Sequence, residues 1–129
     1  MINVNELRRG NFIKAEGFTQ CVLSIFRNTV VTAKGEDEKQ RSINGLHEIE
    51  PIPLTDEVMK KTEFKTDPLF INKTNRIYSL GRLLIEVKQE LRKAAIYFDG
   101  TLFCYIPANL HSLQNFYFAT MGEELTIKH

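Results

Sequence analysis

Cys104 and His111, seven positions apart, carry the side-chain types that a thiol nucleophile and its base require. Their setting argues against that use. Cys104 lies in the apolar run Thr101–Ile106, where a thiol is core material, and burial raises the pKa that a reactive thiol needs lowered. His47 falls in a turn-rich loop, and His129 is the last residue. The acidic groups Glu36-Asp37-Glu38 and Glu123-Glu124 lack the alternating Asp/Asn pattern of a calcium loop and read as surface charge. GxSxG, HExxH and the phosphate- and dinucleotide-binding glycine patterns are missing. The expectation is a protein without a catalytic centre, cofactor or metal, and without a cleft that joins His47 or His111 to Cys104 or to a carboxylate. Cys21 and Cys104, 83 residues apart with no CxxC spacing, are expected to be free thiols in a reducing cytoplasm.

Binding offers more. His111, Asn115 and Phe118 recur at i, i+4 and i+7, so on a helix they share a face beside Gln114. An apolar anchor amid hydrogen-bonding groups is the composition of a protein interface, so this edge is the expected partner-binding surface.

These residues lie in the stretch Pro107–Ile127, which must position them. Asn109 is a good N-cap and Gly122 a good left-handed terminator, so a helix runs between them. A turn of about 100° per residue gathers Leu110, Leu113, Phe116, Tyr117, Thr120 and Met121 into one core-facing stripe and leaves Ser112 and Asn115 in solvent. Leu125 and Ile127 alternate as a short last strand would.

Upstream, strands are expected from Phe12 to the stop at Gly17, at Phe18–Phe26, at Thr29–Ala33 after an Arg27-Asn28 turn, and at Arg41–Ile43 before an Asn44-Gly45 turn. Short strands with tight links suggest a small curled sheet or partial barrel, Src-homology-3-like, over residues 1–50. Pro51 and Pro53 then make a linker that still buries Ile52 and Leu54, and Thr55 caps a short helix from Asp56. Residues 51–129 continue with a weak hairpin, Leu69–Asn72 with Arg76–Leu80, and an antiparallel meander of Leu83–Leu91, Ala94–Phe98 and Thr101–Ile106 turning at Asp99-Gly100. The last of these strands is apolar on both faces and is expected to be central, with the C-terminal helix over it. The fold class is α+β.

Composition narrows the functional classes. At 43% hydrophobic and 26% charged residues, with no apolar run of bilayer length, the chain reads as a soluble globular protein. The start MINVNELRRGNF has no basic region followed by an apolar one, so no secretory signal is expected. The net charge of +1 gives little long-range pull on a polyanion. Residues 60–93 nevertheless hold nine basic against four acidic side chains, which keeps a nucleic-acid-binding accessory protein as the alternative to a protein-interaction or assembly module.

Three motifs, NELRRGN at Asn5–Asn11, EIEPIPLTDE at Glu48–Glu57 and HSLQNFYFATMGEELTI at His111–Ile127, resemble those of a family of short bacterial proteins. These are encoded in anaerobic genomes, often among phage and mobile-element genes, and are uncharacterised as a group. The resemblance implies a small accessory protein and brings no activity, cofactor or catalytic residue with it.

Overall fold

The computed structural model describes residues 2–34, 41–66 and 75–128. They form two compact units, Met1–Ile52 with Asn109–Asn115, and Pro53–Ala108 with Phe116–His129.

The first unit is a curled half-barrel of β1 (Phe12–Ala15), β2 (Phe18–Phe26), β3 (Thr29–Lys34), β4 (Arg41–Gly45) and β5 (Ile49–Glu50), antiparallel in the order β4-β3-β2-β1-β5. Tight turns set the register. Glu16 and Gly17 both take positive φ, 52° and 79°, which matches the twist of the flanking strands. In the next hairpin Arg27, at φ 53°, takes the left-handed role expected of Asn28. Alternation turns Ile13, Ala15, Val22, Val30 and Ile49 inward, where they pack with Ile2 and Leu7. Each large side chain so buried contributes at most about 1.5–3 kcal/mol.

A polar line crosses this interior. Gln20, Thr32 and Asn44 are buried on three adjacent strands. Gln20 Nε2 donates to the Ala15 carbonyl at 2.9 Å, Thr32 Oγ1 donates to Gln20 Oε1, and Asn44 Nδ2 donates to Thr32 Oγ1 at 3.0 Å. Asn44 is therefore not the turn residue expected: its amide has an inward partner, so β4 runs on through Gly45.

The second unit holds α1 (Asp56–Lys60) and an antiparallel sheet of β6 (Lys65–Thr66), β7 (Asn75–Leu80), β8 (Leu83–Lys88), β9 (Lys93–Phe98) and β10 (Thr101–Pro107), in the order β10-β9-β8-β7-β6. Ile52 and Leu54 are buried on either side of Pro53, as the linker reading requires. Thr55 Oγ1 accepts from the Val58 N–H at 3.3 Å, the expected N-cap. The expected strand Leu69–Asn72 and its turn lie outside the described residues, as does the loop tip 35–40.

Leu83, Ile85 and Val87 point inward by alternation, but Leu91 does not follow them, because β8 stops at Lys88 and a 3-10 turn occupies Gln89–Leu91. Asp99 and Gly100 turn with φ 51° and 81°, as their sequence predicts. The expectation for the following strand is overturned. Among the described residues β10 pairs only with β9 and forms the sheet edge, with its register slipping between Leu102 and Cys104. Its second apolar face is exposed.

The C-terminal helix α2 (Leu110–Met121) has the expected ends: Asn109 Oδ1 accepts from the Ser112 N–H at 3.0 Å, and Gly122 takes φ 75°. Leu110, Leu113 and Tyr117 are buried and Phe116 is half-buried, whereas Thr120 and Met121, expected with them, are exposed in the last turn, and Ser112, expected in solvent, is half-buried. Ile127 returns as a single bridge to Thr62. Among the described residues no helix is long and apolar enough to cross a membrane.

Candidate protein-interaction site

The residues nominated for partner binding divide sharply. His111 and Gln114 are buried, at 1% and 2% exposure, and Asn115 is half-buried, so the edge read as solvent-facing is in fact an internal seam of the first unit. The cause lies at the entry to β1, where the Gly10 N–H and the Asn11 carbonyl bond to Val22 but the Gly10 carbonyl and the Phe12 N–H turn to a side chain. Gln114 supplies two: Oε1 accepts from the Phe12 N–H at 2.8 Å, and Nε2 donates to the Gly10 carbonyl at 3.0 Å. Asn115 Oδ1 accepts from Asn11 Nδ2 at 2.8 Å and from Arg8 Nε at 3.1 Å, while its Nδ2 donates to the Glu6 carbonyl at 2.6 Å. The hydrophobic period could not reveal this, because the partners lie 102 to 109 residues away.

His111 Nε2 lies 3.3 Å from Glu6 Oε2, so a histidine does meet a carboxylate, contrary to expectation. Its Nδ1 is buried without a hydrogen-bond partner. Burial holds the imidazole pKa below its ordinary 6.5, with Glu6 partly opposing. The folded protein thus keeps His111 neutral where the unfolded chain would bind a proton. The stability that His111 contributes is complete above pH 6.5 and is lost as pH falls from there toward the depressed folded value. Urea midpoints for wild type should drop between about pH 7.5 and about pH 5.5, and the drop should shrink in His111→Gln. Equal drops in the two proteins would refute the assignment.

Neither cysteine is in a disulfide, and burial pushes the Cys104 thiol up, the direction opposite to a nucleophile's. His47 is exposed, 3.6 Å from the Glu48 carboxylate. Among the described residues no three His, Cys, Asp or Glu side chains group as metal ligands would.

Open surface appears instead in the second unit. Phe118 is 42% exposed, and along β10 Leu102, Phe103 and Tyr105 are 45%, 63% and 51% exposed. Phe103 meets the ring of Phe116 edge-on at 6.1 Å, which fixes it at the rim. The sheet's outer face has a shallow depression of about 210 Å³ lined by Ile77, Leu84, Glu86, Tyr97 and Gly100. Tyr97 Oη donates to Glu86 Oε1 at 3.4 Å, and Lys88 Nζ sits 3.9 Å from that oxygen and 5.6 Å from the Tyr105 ring centre. The Glu86 carboxylate thus answers both the Tyr97 hydroxyl and the Lys88 ammonium.

The basic segment 60–93 is likewise partly answered, by Lys60 with Asp56 at 3.1 Å and Arg82 with Asp99 at 3.6 Å. On the first unit, Arg9 and Arg41 line a second depression of about 210 Å³ with Leu23, Ser24 and Val31. Exposed Phe18 and Phe26 carry Lys34 and Arg27 at 4.5 and 5.5 Å from their ring centres.

No protein-family model, curated protein or solved structure matches the chain.

Proposed function

We propose that the chain is a protein-interaction or assembly module that receives its partner along the edge strand β10. The observation that carries this reading is that an edge strand, with main-chain groups on one side outside any ladder, also exposes Leu102, Phe103 and Tyr105. Such edges are normally shortened, charged, bulged or covered, because they pair with other strands; β10 carries a bulge and ends in Pro107, yet it is seven residues long and without a charged side chain. Strand addition supplies main-chain hydrogen bonds, and the aromatic side chains supply the anchors. Phe118 keeps the role of an apolar anchor from the original surface, without His111, Gln114 and Asn115. The resemblance of the three motifs supports an accessory role in a phage or mobile-element setting, in the cytoplasm.

A photo-crosslinking amino acid at position 105, in cells producing the protein, should yield covalent protein adducts. The same group at exposed Glu57 should not. Absence of adducts at 105 would overturn the reading.

Nucleic acid is the second reading, favoured by the two arginines of the first unit's depression and by the cation-bearing rings of Phe18 and Phe26. Such binding weakens steeply with salt, whereas an apolar strand interface does not.

A further inference from the structure

We infer that the outer face of the first unit binds a single strand of nucleic acid, with a phosphate in the depression lined by Arg9 and Arg41 and a base on the ring of Phe26. The inference rests on the nucleic-acid reading, to which it gives a site, and is independent of the β10 edge. Register defines the face. Val30, Thr32 and Asn44 are buried inside the half-barrel, so by alternation Val31, Arg41 and Ile43 point outward. Ser24 pairs with Val31 and Phe26 with Thr29, which puts Ser24 and Phe26 on that same side, about 7 Å apart along β2. The depression lies at the bulge in β2. Leu23 is the residue with no partner in β3, and its insertion lets consecutive Leu23 and Ser24 both line the hollow, opposite Val31. Arg9, from the loop before β1, and Arg41, from β4, complete the lining.

Charge selects the occupant. The outward residues Ser24, Phe26, Thr29, Val31, Arg41 and Ile43 include no Asp or Glu, and two guanidinium groups belong to the hollow. An oxyanion fits there: guanidinium forks bind phosphate oxygens in pairs, and the Ser24 hydroxyl can donate a further hydrogen bond. Arg9 and Arg41 make other contacts as well, and with five donors each they need not give those up. The ring decides between a phosphate chain and an acidic peptide. Phe26 is 68% exposed, and the Arg27 guanidinium sits 5.5 Å from its centre. A nucleotide brings a flat base with its phosphate and so uses ring and cations together, whereas an acidic peptide uses the cations alone.

The test is fluorescence anisotropy of a labelled thymidine oligonucleotide of about 20 nucleotides with the purified full chain, in about 50 and about 200 mM salt. Phe26→Ala and Arg41→Ala probe the face. Arg82→Ala and Lys93→Ala, exposed in the basic segment of the second unit, are the controls. All four side chains are exposed, so folding should survive, and circular dichroism checks that. Binding that Phe26→Ala weakens by about 5- to 100-fold, and that the controls leave unchanged, supports the inference. Arg41→Ala should weaken binding and lower the slope of affinity against salt, on logarithmic axes, by about 1. Binding that Arg41→Ala weakens but Phe26→Ala does not, and that polyglutamate displaces, means that the face reads charge alone, which overturns the inference in favour of an acidic peptide. If the oligonucleotide binds and only the controls weaken it, this face is wrong while the nucleic-acid reading stands. No binding up to about 100 μM protein at the lower salt overturns both.

Discussion

Gln114→Leu should destabilise the protein by about 2–5 kcal/mol, although leucine is apolar, of similar size and a good helix former. The side chain is buried and holds two main-chain groups, the Phe12 N–H and the Gly10 carbonyl. Leucine would leave a donor and an acceptor without their side-chain partner in a half-buried setting, and each such group costs about 1–3 kcal/mol. Gln114→Glu should rescue little: a carboxylate can still accept from Phe12, but it turns an oxygen toward the Gly10 carbonyl and buries a charge. Urea unfolding of the two variants measures this. A loss below about 1 kcal/mol for Gln114→Leu would mean that the loop finds other partners and that the seam is incidental.

Tyr78→Ala should cost a similar amount, about 3–5 kcal/mol, by a different route. Tyr78 is 1% exposed on β7, and its Oη donates to Asp56 Oδ1 at 3.0 Å. Lys60 first, and Tyr78 after it, hold the Asp56 carboxyl below the ordinary carboxylate range, so the hydroxyl donates to an ionised group. The ring and the hydroxyl separate by mutation. Tyr78→Phe keeps the packing and should lose only about 1 kcal/mol, since Asp56 reaches solvent and can take water in place of the phenol. Equal losses in the two variants would show that the hydrogen bond, not the buried ring, anchors α1 to the sheet.

The contrast between these two residues shows how much could be read in advance. Strands and turns with local causes were legible: the Asp99-Gly100 hairpin, the Thr55 cap, the alternation of Ile85 and Val87, though not its extension to Leu91, and the helix register through Leu110, Leu113 and Tyr117. Gln114, His111 and Asn115 were misplaced because a period in hydrophobicity scores polar residues as outward, and their partners sit far away in sequence. Asn44 went wrong the same way, since its chemistry suits a turn until Thr32 supplies a buried acceptor. β10 was misplaced for another reason. Apolar side chains on both faces distinguish a central strand only if the molecule has no apolar edge, and Phe103 and Tyr105 are exposed on this one.

The seam between the loop before β1 and the start of α2 also bears on synthesis. Hydrogen bonds from Phe12 to Gln114 and from Asn11 to Asn115 span 102 and 104 residues, nearly the length of the chain. At ribosomal rates of about 5–20 residues per second, Gln114 is made roughly 5–20 s after Phe12. The hairpins of the half-barrel close far faster than that, on the microsecond scale of local pairing. During translation β1 to β5 can therefore pair while the Phe12 N–H and the Gly10 carbonyl still lack their final partner. The strands of the first unit emerge from the ribosome before those of the second, yet the first unit cannot be finished until Gln114 and Asn115 have been made.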